Sequence, residues 1–145
     1  MTRDKQAVQQ LYDKILPALA AQIHQNLEAV FPMFHDFHME RVVDTWSRGA
    51  ADSTEEVSIE KGNVQQLGLR LRLEGFQRAG APAFDLAKDL LFKLHHSYYE
   101  VGPDKDKVWL EKQYDQPWQQ TEYSEIAERW SEELIEALTQ KLQSF

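Results

Sequence analysis

Two histidines three residues apart, His35 and His38, lie within the aromatic and apolar stretch FPMFHDFHMERVVDTW at residues 31–46. On a helix, a spacing of three brings two imidazoles within one turn of each other, and imidazole is a common ligand of zinc and similar ions. A metal site needs further ligands, and a second pair, His95 and His96, can supply them from a neighbouring helix. The four histidines therefore raise the hypothesis of a divalent-metal site.

The competing interpretation is a packed helix that carries histidines without any metal. The helical pattern places His35 on an apolar face with Met39 and Val42, while His38 lies at the edge of that face. The spacing matches no metal-binding motif, and the chain contains no cysteine, which excludes thiolate ligands and disulfides. The simpler expectation is that the protein uses no cofactor.

Signatures of catalysis are missing from the sequence. It has no nucleophile elbow of the GxSxG type, no SxxK and no glycine-rich phosphate loop. No carboxylic side chain stands within an apolar stripe, where burial would raise its pKa for proton transfer. The residue motifs of hemerythrin-like and ferritin-like bundles, globins and secretion chaperones are also missing. The sequence therefore favours a protein that is not an enzyme.

Aromatic residues concentrate in the second half of the chain, where eight of the sixteen fall between residues 92 and 130. Trp130 belongs to a helical apolar stripe and is predicted to lie in the core, whereas Tyr99, Trp109 and Trp118 lie in or near predicted loops. Tyrosine and tryptophan favour half-solvated interfaces. We therefore predict Tyr99, Trp109 and Trp118 as interface residues. A small-molecule pocket lined by these aromatics is a weaker alternative.

Charge narrows the range of partners. The chain carries 24 acidic against 16 basic residues, a net charge of −8, which disfavours binding to nucleic acids and to anionic membranes. A local group of arginines, Arg70, Arg72 and Arg78, is interpreted as a solvated face. No stretch reaches the length of a membrane span, and the first residues lack the pattern of a secretory signal. We expect a soluble cytoplasmic protein.

Periodicity predicts mostly helices. Apolar residues at three- and four-residue steps indicate helices over about residues 4–30, with a kink or break at Pro17, over 32–48, over 82–99, and from Thr121 to the end. A capping box of Ser53 and Glu56 indicates another short helix. Residues 64–76 are ambiguous because their leucines alternate as in a strand, while helix start and stop signals flank them. The end signals favour a helix there.

The sequence as a whole predicts a single domain over residues 1–145, a mainly α bundle of about five or six helices. The alternative is an α+β fold with a small antiparallel sheet formed by residues 56–74 and 107–114. For function it predicts a small acidic protein-interaction domain, that is, a regulator, an adaptor or an inhibitor of the immunity type. The partner is expected to be another protein or, through the long C-terminal helix, a second copy of the chain.

Overall fold

A computed structural model describes residues 4–44, 64–77, 80, 82–104 and 106–144. The fold is α+β: a five-stranded antiparallel sheet is covered on one face by helices from the two ends of the chain. The prediction of a mainly α bundle of five or six helices is therefore wrong. The capping box at Ser53 and Glu56 lies outside the described residues.

The elements follow each other simply along the chain. The N-terminal helical segment consists of α1 (Lys5–Gln10), a π-helical turn (Leu11–Ile15) and α2 (Leu16–Asn26), and a 3₁₀ turn (Phe31–Met33) leads into the sheet. The strands are β1 (Phe34–Asp44), β2 (Gln66–Phe76), β3 (Leu86–Leu94), β4 (Tyr98–Gly102) and β5 (Leu110–Gln113), and each pairs with the next in sequence order. The C-terminal helix α3 (Gln120–Gln143) then packs against α2.

The helices predicted over residues 32–48 and 82–99 are wrong, because β1 and β3 occupy most of the described residues in these ranges. Residues 45–48 lie outside the described residues. In β1, Phe37, Met39 and Val43 point to the helical layer, while His38 and Glu40 point away from it. Apolar residues four apart satisfy both the helical period and the alternation of a strand, so the pattern alone does not separate the two. The segment is a strand because it pairs with β2 along its length, and this pairing stabilises the extended conformation.

The ambiguous segment is a central strand. Leu67, Leu69, Leu71 and Leu73 of β2 are all buried beneath the helices, as the strand interpretation requires. However, β2 pairs with β1 and β3, whereas β5 pairs with β4. The alternative small sheet thus has strands in both of its predicted regions, but these strands are not neighbours, and three further strands complete the sheet.

Both terminal helices are confirmed. Proline at position 17 does not break the N-terminal segment, because a π-helical turn precedes it and Leu16 N–H donates to the carbonyl of Leu11, five residues back. The wider turn accommodates a residue that has no N–H of its own. The helix ends at Asn26, and Pro32 lies in the 3₁₀ turn before β1 and not in a new helix.

The sheet leaves no room for a side chain at Gly68. A Cβ built there would lie 2.7 Å from the backbone carbonyl oxygen of Leu90 and 3.2 Å from a methyl of Val42. We predict that Gly68→Ala lowers the free energy of unfolding by about 1–3 kcal/mol, because the adjacent strand has to shift. Urea denaturation measures the loss. The matched control Ala87→Gly, at an exposed position of the neighbouring strand, is expected to cost about 1 kcal/mol or less. A fully stable Gly68→Ala variant would contradict the close approach of the strands.

Candidate functional site

The structure does not bring the two histidine pairs together. His35 lies at the end of the sheet where β1 begins, beside Gly75, and Gln77 Nε2 is 3.2 Å from its Nδ1. His95 follows β3 at the opposite end, where Leu94 N–H donates to Gln65. Because the strand between these ends advances about 3.4 Å per residue over ten residues, the two pairs are about 30 Å apart.

The individual histidines contact side chains other than those of their own pair. His35 is exposed and lies beside Gln77, as described above. His38 Nε2 pairs with Asp36 at 3.1 Å, and His95 Nε2 lies 2.6 Å from Glu100 Oε1. Within the described ranges, no group of three or more histidine, aspartate or glutamate side chains is arranged to hold a metal ion. The geometry gives the metal hypothesis no support.

Two of the three arginines grouped in the sequence, Arg70 and Arg72, form part of a charge-balanced sheet face, and Arg78 lies outside the described residues. On the side away from the helices, Arg70 donates to both carboxylate oxygens of Asp89 at 2.9 and 3.2 Å. On the same face, Arg72 lies 3.4 Å from Glu40 across the β1–β2 pair. These cross-strand pairs offset most of the positive charge, which leaves little for a phosphate backbone.

No helix in the described part of the chain is long and apolar enough to cross a membrane.

The three predicted interface aromatics occupy two different environments. Tyr99 is only 1% exposed and stacks on Phe92 with the ring planes 8° apart. Trp118 is half-buried and extends this stack, since its ring is also parallel to Phe92. Trp109 lies elsewhere, directly before β5, and the guanidinium of Arg129 stacks over its ring. Tyr99 and Trp118 therefore form one candidate site and Trp109 another.

A hydrogen-bonded network fixes the first of these sites. Trp118 Nε1–H donates to the hydroxyl oxygen of Tyr99 at 2.7 Å. The buried Lys112 ammonium donates to the carbonyl of Pro117 at 3.0 Å and to the carboxylate of Glu122 at 2.8 Å. Because Pro117 directly precedes Trp118, the lysine holds the chain that presents the indole. The network thus ties β5 and the start of α3 to the segment between them.

Local interactions shift the pKa values of Glu122 and Tyr99. Burial raises the pKa of the Glu122 carboxyl, but hydrogen bonds from Lys112 and from the backbone N–H of Gln119 outweigh burial and leave the pKa below its usual value. Burial also raises the pKa of Tyr99, against the opposing effect of the hydrogen bond from Trp118. At neutral pH the carboxylate is thus ionised and the phenol keeps its proton.

An open cleft lies beside this network, between the N-terminal helical segment and the β5–α3 connection. Its free volume is about 340 Å³. Leu11 and Ile15 of the π-helical turn line one wall, Tyr114 and Trp118 line the other, and Tyr99 also contributes. The hydroxyl of Tyr114 donates to the carbonyl of His95 at 2.5 Å, which fixes the position of its ring. The cleft is mostly apolar with a few polar groups, as ligand pockets usually are.

The second candidate site is an outward surface of α3 and the residues before β5. Arg129 Cζ lies 4.7 Å from the centre of the Trp109 ring, and the adjacent Val108 is 45% exposed. Four exposed glutamates follow the outer side of α3 at steps of three and four residues, so they form one stripe. We call this the α3 surface. It comprises Val108, Trp109, Glu125, Glu128, Arg129, Glu132 and Glu136.

Comparison of the chain with protein-family models, with curated proteins and with solved structures finds no match.

Sequence reasoning missed several residues of the two sites. The stacking of Arg129 on Trp109 depends on how α3 lies across the sheet, which no local pattern encodes. The cleft needs Leu11 and Ile15, which come from a segment about a hundred residues earlier in the chain. The available signal was Pro17 inside a strong helical pattern, because a proline there predicts an irregular turn just before it.

Proposed function

We propose that this protein is a non-enzymatic interaction domain that binds a basic protein through the α3 surface. The observation that carries the proposal is the Trp109–Arg129 stack beside the exposed Val108 and the glutamate stripe. Tryptophan and arginine are the residue types that most often dominate binding energy at protein interfaces. An aromatic anchor bordered by charges of one sign is suited to a partner of the opposite sign.

Charge supports a basic partner. The net charge of −8 produces a negative field around the whole molecule, and the exposed stripe on α3 concentrates it next to the aromatic anchor. Such a field accelerates the encounter with a cationic protein and fixes its orientation. An inhibitor or immunity protein for a basic toxin or nucleic-acid enzyme would have these properties, as would an acidic regulator or adaptor.

The shifted pKa values support binding over proton-transfer catalysis. The Asp104 pKa is lowered, first by the backbone N–H of Asp106, and the Glu122 pKa is lowered by its hydrogen bonds despite burial. The pKa values of Tyr99 and Tyr123 are raised, chiefly by burial. Each shift stabilises the form that the group already has at neutral pH. A general acid or base needs the opposite shift, toward the working pH.

The same charges argue against a homodimer through α3. A symmetric pairing of two copies of this helix would bring the stripe of four glutamates close to its own copy. Like charges in an interface disfavour association, so a heterologous partner fits the surface better.

The proposal is tested by affinity capture followed by binding measurements. Wild-type protein is used as bait in native extract of the producing cells, beside Trp109→Ala and a variant with Glu125, Glu128, Glu132 and Glu136 changed to glutamine. We expect a basic protein that the wild type retains. Trp109→Ala should bind it about 30-fold more weakly, as for a typical aromatic hot spot. The four-glutamine variant should mainly lose association rate and salt dependence.

A matched control keeps the net charge of the four-glutamine variant but leaves the α3 surface intact. It changes four exposed carboxylates in other elements, Asp13, Glu28, Glu40 and Glu74, to the corresponding amides. The control should bind the captured protein within about threefold of wild type. Three outcomes would contradict the proposal. The two charge variants could lose the same affinity, Trp109→Ala could keep full affinity, or light scattering could identify the captured chain as a second copy.

A further inference from the structure

The cleft beside Tyr99 has the features of a ligand site that is separate from the α3 surface. Its volume of about 340 Å³ lies in the range of pockets that enclose small organic molecules. Its two walls come from segments about a hundred residues apart in the chain, and Tyr99, at 1% exposure, is the most buried of its aromatic residues. A molecule that reaches this tyrosine is therefore enclosed from the sides, unlike one resting on the open α3 surface.

The Tyr99 hydroxyl has one unused hydrogen-bonding function. Its oxygen accepts the Trp118 indole N–H at 2.7 Å, while its own proton has no acceptor among the described residues. A phenol that accepts one hydrogen bond is polarised toward donating another. Tyr99 is almost completely buried, so its hydroxyl proton has little access to bulk water, and an acceptor supplied inside the cleft would complete its hydrogen bonding.

The walls favour a flat and uncharged occupant. Tyr114 and Trp118 present aromatic rings, and Leu11 and Ile15 present aliphatic surface opposite them. The charged lining residues are of both signs, Lys14 and Asp115, so neither a cation nor an anion is selected by net charge. Flat aromatic rings stack well on such walls. The π-helical turn that supplies Leu11 and Ile15 is a type of irregularity frequently found at functional sites.

We propose that this cleft binds an uncharged aromatic heterocycle whose ring acceptor takes the hydrogen bond of the Tyr99 hydroxyl. The ligand stacks against Trp118 and Tyr114 and contacts Leu11 and Ile15 on its other side. The site is built from residues outside the α3 surface, so its occupancy does not depend on the protein-binding function proposed above.

The test compares two probes of nearly equal shape. Quinoline carries a ring nitrogen acceptor and is uncharged at neutral pH, whereas naphthalene has the same two fused rings without an acceptor. Binding is followed by the shift of the Trp118 indole N–H signal in nitrogen–proton correlation spectra, assigned with Trp118→Phe. We expect quinoline to move this signal, to leave the Trp109 signal in place, and to bind about 3- to 10-fold more tightly than naphthalene.

Two variants separate the hydrogen bond from the cavity. Tyr99→Phe keeps the ring but removes the hydroxyl, and it should bind the two probes with equal affinity. Ile15→Trp fills the cleft from the half-buried wall position and should abolish binding of both probes. This second variant keeps the test decisive if Tyr99→Phe does not fold.

Three results would overturn the proposal. They are equal affinities of the wild type for quinoline and naphthalene, a preference for quinoline that survives in Tyr99→Phe, and shifts confined to residues away from the cleft. The Trp109→Ala variant is expected to bind quinoline like the wild type. Because of this, failure of the cleft and failure of the α3 surface give different patterns.

Discussion

Replacing Trp130 by alanine is expected to lower the free energy of unfolding by about 4 kcal/mol. The side chain is fully buried, and its indole N–H donates to the backbone carbonyl of Asp89 at 2.9 Å. Trp130 thus connects the middle of α3 directly to the middle of β3. The substitution removes the hydrophobic contacts, leaves a large cavity and leaves the Asp89 carbonyl without its donor. Urea denaturation followed by circular dichroism measures the loss.

Two other substitutions divide this effect into its parts. Trp130→Phe retains most of the apolar volume but loses the N–H, and it should cost about 1–3 kcal/mol. Trp109→Ala, at the half-buried position on the α3 surface, should cost less than about 1.5 kcal/mol. If Trp109→Ala destabilised the protein as much as Trp130→Ala, Trp109 would belong to the core, and its use as a binding anchor would be contradicted. The contrast therefore tests the roles of the two tryptophans together.

The size of the Trp130 effect follows from the thinness of the fold. The sheet has helices on one face, so a single layer of side chains between them forms the core. Total stabilities of such domains are about 5–15 kcal/mol, and one large residue in this layer accounts for a substantial fraction. We expect Trp130→Ala to approach the limit at which the chain still folds.

The terminal helices could be predicted from the sequence because their pattern admits one solution. In α3, the buried residues Ile126, Trp130, Leu134 and Leu138 recur at steps of four over 24 residues. Steps of four also fit a strand, but Ala127 beside Ile126 and Ser131 beside Trp130 are buried too, and a strand would place such neighbours on opposite faces. A strand of this length would also be far longer than strands usually are. Length and period together exclude the strand.

The middle of the chain could not be assigned in the same way. In β1, Phe37, Met39 and Val43 face the helices, but Arg41 on the same side keeps its charge in solvent and stacks over the Tyr12 ring at 4.2 Å. Because Arg41 interrupts the apolar side of the strand, the two-residue alternation is incomplete, and the helical period fits the sequence of β1 better than the strand period does. The choice between strand and helix was settled by pairing with a segment about 30 residues away, which no local pattern encodes.

The candidate sites were predictable in part. Loop signals selected Trp109 and Trp118, and the structure places both outside the strands and helices with part of each side chain accessible. The same signals also selected Tyr99, which is a buried residue of β4. The difference arises because a strand residue next to a loop is buried or exposed according to the face on which it lies. That face depends on the register of β4 with β3, which pairs Tyr99 with Leu94.

Removing the buried lysine of the β5–α3 connection is the second large effect. Lys112→Met is expected to lower the free energy of unfolding at neutral pH by about 2–3 kcal/mol. The Lys112 side chain is 7% exposed and that of Glu122 is 24% exposed, so the substitution leaves a largely buried carboxylate without its cation. The remaining exposure of Glu122 keeps the cost below the 3–5 kcal/mol typical of fully enclosed pairs. Thermal and urea unfolding measure it.

The cost should depend on pH in a direction fixed by Glu122. Because hydrogen bonds hold the pKa of the folded carboxyl below its usual value, its stabilisation is complete above the usual pKa and is lost as the pH falls through the lowered one. In Lys112→Met, burial raises the pKa of this carboxyl without the opposing lysine. The variant therefore takes up its proton earlier, and the difference from wild type should shrink toward about pH 3.

Two controls separate this pair from ordinary surface charge. Arg72→Met removes an ion pair with Glu40 in which both side chains are about half exposed, and it should cost less than about 1 kcal/mol. Combining Lys112→Met with Glu122→Gln should recover part of the stability lost in the single variant, since no unpaired buried charge remains. A cost of Lys112→Met that is the same at neutral pH and at about pH 3 would contradict the role of Glu122. The lysine would then act through the Pro117 carbonyl alone, because that acceptor does not titrate.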